Sequence, residues 1–529
     1  MTTRGAMSAQ EPIAGVPRPA NPVLWLALTA FVLTASVVVA LLAYGVASGP
    51  HSILALLVPL FVLLPLLPVA LWQKPQAGIF AIFIGSLFIE QFAYEVGPRA
   101  GAATASIPLF HSITPGAGVT VFEVLLALML VILVLKHIRD RKQLLAHTAM
   151  SRRLGLLLLV VALYLLLGLV RHGDAKMALW EVRPFLYLAL LYVLSAALLT
   201  TARALRVLMW SIIIGCSIKA IYGIAIWVSI RNLSPRPEAV LAHEESFFFA
   251  LFVCLVLGFW LFGVGGALRT TGTVLLPVVL FADMCNSRRT AWLLLFVGAL
   301  FMAVAAYVAV PERRRILRRT GLVVLLVSSA YFPAFWGKEG TIAQPARAVQ
   351  SEIAPTPRDE MSNQYRFIED MNLMLNIQQH KSTGSGFGIP IQYYVPITDL
   401  RSQNKAISYI PHNGVLYLWM RVGLLGSILV WLLIAEGMRL ACQLARSAHR
   451  ESALLGALTG CALVAYVMMG STDLGFFWFR IATVMGVLLG ATEARARVVA
   501  VSRPHGALSR NDLATSGAPA TARSSEVGA

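Results

Sequence analysis

Residues 411–424 read PHNGVLYLWMRVGL, a histidine and an asparagine at the lip of an apolar run that carries Arg421 nine positions past His412. At 1.5 Å per helical residue that is ~13 Å into what reads as lipid, where a guanidinium is costly and asks for a cavity or a partner. The imidazole of His412 stands at a boundary between water and hydrocarbon, a place for a general base working near neutral pH. Asn413 is a second polar group within reach of the same substrate. Arginine also recurs in apolar surroundings at Arg183 in WEVRPFLYL, Arg480 in GFFWFRIA, and Arg288 and Arg289 in CNSRRTAW. Guanidiniums gathered around one vestibule suit phosphate or pyrophosphate, whose oxygens their planar fork binds in pairs. Each has a structural alternative: Arg183 paired with Glu181 or another carboxylate, Arg480 snorkelling or paired with Asp473, Arg421 locking two helices together. Lys219, mid-way along an apolar run, reads as structural.

The elements that must position these groups are membrane helices. Of 529 residues, 58% are hydrophobic and 13% charged, with a mean hydropathy of +0.74, too little polar surface for a soluble globule. Apolar stretches of about 20 residues, enough to cross a ~30 Å hydrocarbon core, alternate with short polar punctuation, so helices rather than barrel strands do the spanning. Candidate spans begin near Val23, Ile53, Ala77, Val119, Leu154, Ala178, Val207, Glu245, Thr273, Thr290, Gly321, His412, Ala453 and Gly475. Those at Ala77, Thr273 and Gly321 are short or interrupted, which predicts an all-α polytopic bundle of 12–14 transmembrane helices. With a cytoplasmic N-terminus, the short inside loops hold eighteen Lys and Arg and the short outside loops seven. That asymmetry follows the positive-inside rule and sets both termini in the cytoplasm. It accounts for the net charge of +18 as topology signals beside anionic lipid, with no nucleic-acid partner. The five cysteines lie in or beside apolar runs without a zinc or disulfide spacing, and read as packing residues.

On this reading residues 1–22 are a cytoplasmic tail, 23–336 the N-terminal helices, 337–411 a large loop outside the cytoplasmic membrane, 412–491 the C-terminal helices and 492–529 a disordered cytoplasmic tail. The run from Val23 is too long for a signal-peptide core and stays as an anchor. Loops as long as 337–411 are usually functional. Within it, EMSNQYRFIEDMNLMLNIQQH places Met361, Tyr365, Ile368, Met371 and Leu375 at three- and four-residue spacing, predicting an amphipathic helix along the membrane or the bundle. STGSGFGIP then permits a tight turn. Six histidines fall on the outside: His51, His111, His172, His243, His380 and His412. A lone loop histidine is ordinarily solvated surface; His412 differs by ending the long loop at a helix start.

Taken together, the long outside loop, GSGFG, PHNGVLYLWMRVGLLG, the upstream SRRTAW and the arginine of RPFLYLALLYVL resemble the O-antigen ligase and polymerase superfamily of bacterial envelope glycosyltransferases, over roughly residues 150–490. The resemblance implies about twelve helices and a large periplasmic loop capping a cavity open to the outer leaflet of the inner membrane. It implies transfer of a glycan from undecaprenyl pyrophosphate to a hydroxyl on a glycan or lipid A core, with inversion and with neither sugar nucleotide, cofactor nor metal. By the same carry-over His412 activates the acceptor, Arg183 and Arg289 hold the pyrophosphate, with Arg288 sharing one ambiguous position, and Arg366 of NQYRFIED touches head group or glycan. Neighbouring guanidiniums are expected to keep His412 neutral. Polymerase is favoured over ligase on the NSRRTAW stretch and the extra spans.

Two rivals come from other classes. A lipid-glycan transporter would also carry many spans and intramembrane charges, yet transporters often show internal repeats, and none is evident here. A non-catalytic assembly protein would use the loop for docking, for which outward arginines and a boundary histidine are more than is needed.

Overall fold

The computed structural model describes residues 66–91, 109–110, 119–141, 147–230, 232, 239–338, 340–397 and 408–501. The expected tail 1–22, the spans near Val23 and Ile53, His51 and His111 lie outside them, as do residues 502–529. The chain divides into two compact units, residues 1–75 and 76–529. The first contributes one described helix, α1 (Leu66–Gln73); everything below concerns the second.

Its helices are α2 (Pro75–Phe88), α3 (Val121–Asp140), α4 (Ala149–Val170), α5 (Ala175–Leu198), α6 (Ala202–Ile230), α7 (Glu245–Leu261), α8 (Ala267–Asn286), α9 (Arg289–Ala309), α10 (Arg314–Phe335), α11 (Gln344–Ile353), α12 (Pro357–Gln379), α13 (Gly414–Ala445), α14 (Arg450–Thr472) and α15 (Phe479–Val501). No strand occurs among the described residues. Every expected span start from Ala77 to Gly475 lies inside one of these helices or a few residues before it. Among the described residues nine helices are long and apolar enough to cross a membrane, which makes the chain a multi-pass membrane protein. Its exposed surface agrees: Leu159, Leu163, Leu166, Phe296, Leu300 and Val304 all face outward, stable against acyl chains and unfavourable against water. No residue of α10 is buried.

Side-chain caps start several helices. Thr120 and Thr148 close capping boxes on α3 and α4, Asp174 caps α5, and Thr356 closes a box with Asp359 on α12, each satisfying backbone N–H groups that have no helical partner. The core is α15 packed on α5. From Phe479 to Ala494 every residue of α15 is buried. Gly486 and Gly490 sit so near the α5 carbonyls of Leu188 and Tyr192 that a Cβ would collide with them, the close backbone approach that small residues allow between membrane helices. The helix continues to Val501, past Ala491 where the sequence reading ended it.

Among the described residues, the segment between α10 and α13 holds two α-helices, α11 and α12, after a single 3-10 turn at Thr341–Ala343, where the sequence predicted one helix. α12 covers the predicted amphipathic segment, but its buried face differs from the expected one. Met361 and Met371 are 65% and 41% exposed, and the residues facing the bundle are Glu369, Asn372, Leu373 and Ile377. Polar partners share with the apolar Leu373 and Ile377 in choosing the face: Asn372 accepts from the backbone of Tyr394 and Val395 at 2.7 and 2.8 Å, and Glu369 binds His412.

The GSGFG stretch is a latch rather than only a turn. α13 is broken at Gly423, whose φ of +62° and ψ of −175° only glycine adopts readily. The break frees the Met420 and Arg421 carbonyls, which accept from Ser385 N and Gly386 N at 2.7 and 3.0 Å, while Leu424 N donates to Lys381 O at 3.1 Å. Such an exchange meets the rule that backbone polar groups at membrane depth must find partners. Gly384, at φ +64°, lies against the Arg421 carbonyl and Gly423 N, where a Cβ has no room. Further along, Phe387 N donates to Tyr164 O of α4 and Asp174 N, at the start of α5, donates to Gly388 O. One short stretch thereby ties the loop to α4, α5 and α13.

Candidate functional site

Glu369 and Asp370 on α12 meet His412 and Asn413 just before α13. The His412 backbone N–H donates to Glu369 Oε2 at 2.9 Å, and its ring Nδ1 lies 3.1 Å from the same oxygen. Glu369 is 1% exposed and the His412 side chain 31%, so the carboxylate is enclosed while the ring reaches the surface. A carboxylate accepting from Nδ1–H leaves Nε2 as the free lone pair. The Tyr365 ring, one turn earlier, stands edge-on to the imidazole at 5.9 Å. Asn413 does two jobs. Its Oδ1 caps α13 through Leu416 N at 3.1 Å, and its Nδ2 donates to Asp370 Oδ2 at 3.3 Å.

Burial pushes the His412 pKa down, but the Glu369 hydrogen bond and charge and the Asp473 charge outweigh it, and the net direction is upward despite Arg366. The expected lowering by guanidiniums is therefore reversed, because carboxylates and not arginines stand nearest the ring. Burial raises the Asp370 pKa, with Asn413 opposing. For Asp473, burial acts upward, yet His243 and then His412 bring it well below the usual carboxylate range. Asp473 follows α14, and its Oδ2 lies 2.6 Å from His243 Nδ1. A second imidazole held by a second buried carboxylate thus shares the electrostatic field of His412. The sequence reading missed Glu369, at which only the acidic pair within RFIED beside the apolar positions hinted; it named His243 only as one of six outside histidines and Asp473 only as a partner for Arg480, and did not pair them.

The arginines separate into two groups. Arg366, partly exposed on α12, acts on both His412 and Asp370 through its charge. Arg289 opens α9 and faces the loop helices: Nη1 lies 3.7 Å from Glu352 of α11 and from Asp359 of α12, and 3.5 Å from Asn363 Oδ1. Its side chain is 29% exposed. Asn363 precedes Glu369 by six residues, ~9 Å along the helix, with Arg366 midway between them in sequence. Arg288, at the cap of α9, donates to Leu241 O at 3.3 Å.

The remaining three are engaged elsewhere. Arg183 pairs with Glu123 at 3.0 Å, which Tyr187 also binds at 2.8 Å. Arg421 has no exposure and binds Glu181 at 2.6 Å; it also donates to the carbonyls of Ile389 and Tyr409 at 2.5 and 2.9 Å, which fastens the latch. Arg480, equally enclosed, pairs with Glu244 and Glu245 at 3.0 and 2.6 Å and with the Ser86 carbonyl at 2.7 Å; Asp473, the partner suggested by sequence, takes His243 instead. Lys219 joins that cluster through Glu90 at 2.8 Å, as a structural residue. Arg421 and Arg480 accordingly do not share one open hollow with His412, because in a low-dielectric interior each guanidinium is satisfied by a carboxylate and carbonyls on its own neighbours. Among the described residues no group of three or more His, Cys, Asp and Glu is arranged to hold a metal ion. Compared with known protein families and with curated proteins, the chain matches none.

Proposed function

We propose that the chain is a metal-independent, inverting glycosyltransferase of the O-antigen ligase and polymerase type, acting at the periplasmic face of the bacterial inner membrane in surface polysaccharide biosynthesis. It takes a glycan from undecaprenyl pyrophosphate and joins it to a hydroxyl, with extension of a lipid-linked repeat favoured over attachment to lipid A core. The observation that carries this reading is the His412–Glu369 pair, an exposed imidazole edge backed by an enclosed carboxylate at a helix start, with Arg366 on the same loop helix and Arg289 of α9 against it.

The acceptor hydroxyl gives its proton to His412 Nε2 while its oxygen forms the bond to the anomeric carbon. The bond from that carbon to the pyrophosphate oxygen breaks on the opposite face, its electron pair leaves with the pyrophosphate, and the anomeric configuration inverts. The proton passes from the exposed ring edge to water. Glu369 holds the tautomer and stabilises the imidazolium that forms. A positioned base contributes roughly 10²- to 10⁴-fold. A preorganised cation at the leaving group contributes on the order of 3 kcal/mol, the role given to Arg366 and Arg289.

The test is deletion of the gene and complementation with wild type or His412→Ala, with envelope glycans resolved on a gel. The expected result is normal membrane insertion of His412→Ala and no long-chain product. Single-repeat product in the deletion strain means polymerase, and unattached lipid-linked long chains mean ligase. Wild-type product from His412→Ala overturns the assignment, and reconstituted protein that moves lipid-linked glycan but joins none makes it a transporter.

A further inference from the structure

A cavity of about 150 Å³ lies where the C-terminal end of α12 meets the latch, with Arg171, Asn376, Gln379, His380, Gln392 and the buried Arg421 among its lining. At ~30 Å³ per water it has room for about five waters. That is well under the ~300–1,000 Å³ of sites for drug-sized ligands, and a size for one small ring. Gln379, His380 and Gln392 are exposed, so solutes reach it. No carboxylate lines it; of its seven polar side chains three are neutral amides, which offer both donors and acceptors, beside Arg171, Arg421, His380 and Ser385. Hydroxyls, being donors and acceptors at once, need that mixture; an inorganic anion needs donors alone.

The lining is held in place before any ligand arrives. Asn376 pairs with residue 392 like a neighbouring strand, Nδ2 to Gln392 O at 2.7 Å and Oδ1 from Gln392 N at 3.1 Å. The Tyr394 hydroxyl is bound between Gln379 Nε2 and Gln392 Oε1. Gln379 Oε1 and Gln392 Nε2, one acceptor and one donor, then have no hydrogen-bond partner among the described residues. The Tyr394 ring stays 45% exposed, a fixed apolar face beside fixed polar groups. A pyranose has the matching surface, with C–H bonds on its face and hydroxyls at its edge. Arg171 Nη1 is occupied by the carbonyls of Gly384 and Ser385 at 2.8 and 3.2 Å, which hold the guanidinium without neutralising it, while the charge of Arg421 is paired with Glu181; an anion is thus the competing ligand.

We propose that this cavity, with Gln379 and Gln392 in its lining and the exposed ring of Tyr394, bonded to both, beside it, is a subsite for one pyranose ring of a glycan. Asn376 is seven residues beyond Glu369, ~10 Å along α12, so the ring it takes is a neighbour of the reacting sugar and not the reacting sugar itself. That placement rests on the glycosyltransferase reading; the binding does not.

The test uses the purified full chain in lipid nanodiscs, with saturation-transfer NMR on a panel of neutral and N-acetylated methyl pyranosides and phosphorus line broadening on inorganic pyrophosphate. The expected result is transfer to at least one glycoside. Tyr394→Ala should bind it about tenfold more weakly, the scale of one lost aromatic contact. The Gln379→Ala/Gln392→Ala double variant should weaken it too, Tyr394→Phe should keep the stacking and part of the affinity, and His412→Ala should bind as wild type. No transfer to any glycoside, affinity indifferent to Tyr394→Ala with the protein still folded, or pyrophosphate displacing the sugar from the cavity each overturns the subsite. Loss of binding with glycan joining intact removes the subsite alone. Binding intact in a chain that joins no sugar removes the transferase reading alone.

Discussion

Arg421 Nη2 and Glu181 Oε1 lie 2.6 Å apart with neither side chain exposed, joining α13 to α5 across 240 residues of sequence. Glu181 also receives Gly388 N–H at 2.5 Å, so one ion pair fastens two helices and the loop between α12 and α13. Removing one member leaves the other charged and enclosed, at a cost of about 3–5 kcal/mol. Arg421→Met should lower the unfolding temperature in detergent strongly, and adding Glu181→Gln should recover part of the loss. A single variant that melts like wild type would show that the pair does not hold the fold.

Gly423→Ala tests the latch. Its backbone conformation is essentially reserved for glycine and costs another residue on the order of 1–3 kcal/mol, and an added Cβ would also meet the Ser382 carbonyl. The variant should lose stability, and trypsin should cut faster at Lys381, an exposed residue whose carbonyl accepts from Leu424 N. Unchanged melting and unchanged cleavage would refute the latch.

The pH profile reports His412. A base must be neutral, and its pKa is raised in the folded protein, so glycan joining should rise with pH along an acid limb centred above the ordinary ~6.5. Glu369→Gln removes the hydrogen-bonded carboxylate, so the limb should move to lower pH while the rate at its plateau falls by roughly 10²- to 10⁴-fold. A limb at the same pH in Glu369→Gln would dissociate the two residues. The linked effect on stability has the opposite sign from that on activity. Because the folded pKa exceeds the unfolded value, the stabilisation by His412 is fully present below about pH 6.5 and is lost as pH rises through the folded pKa.

Arg289 touches the loop helices through Glu352, Asp359 and Asn363, and the proposed reaction gives it the pyrophosphate as well. Arg289→Ala should reduce product formation by roughly 10²- to 10³-fold, the scale of one lost transition-state donor, and Arg289→Lys should restore part of it, since an ammonium keeps charge but not the planar fork. Full activity in Arg289→Ala would leave it an anchor of α11 and α12 only.

Among the described residues the sequence alone determined the long apolar helices, because lipid allows a spanning chain few other ways to satisfy its backbone, and the length and spacing of apolar runs are local properties; α11 carries no such run. It also singled out His412, a polar residue that ends the long loop just before an apolar run. Tertiary structure decided the partners. Glu369 is 43 positions from His412, Glu181 is 240 from Arg421, and Glu244 is 236 from Arg480; nothing in local spacing says which carboxylate a buried cation will meet. The face of α12 eluded sequence for the same reason, since Glu369 and Asn372 turn inward for hydrogen bonds while Met361 and Met371 turn out. A charge in a low-dielectric interior is held by whichever opposite group the folded helices bring within a few ångströms, and that proximity exists only once the helices have packed.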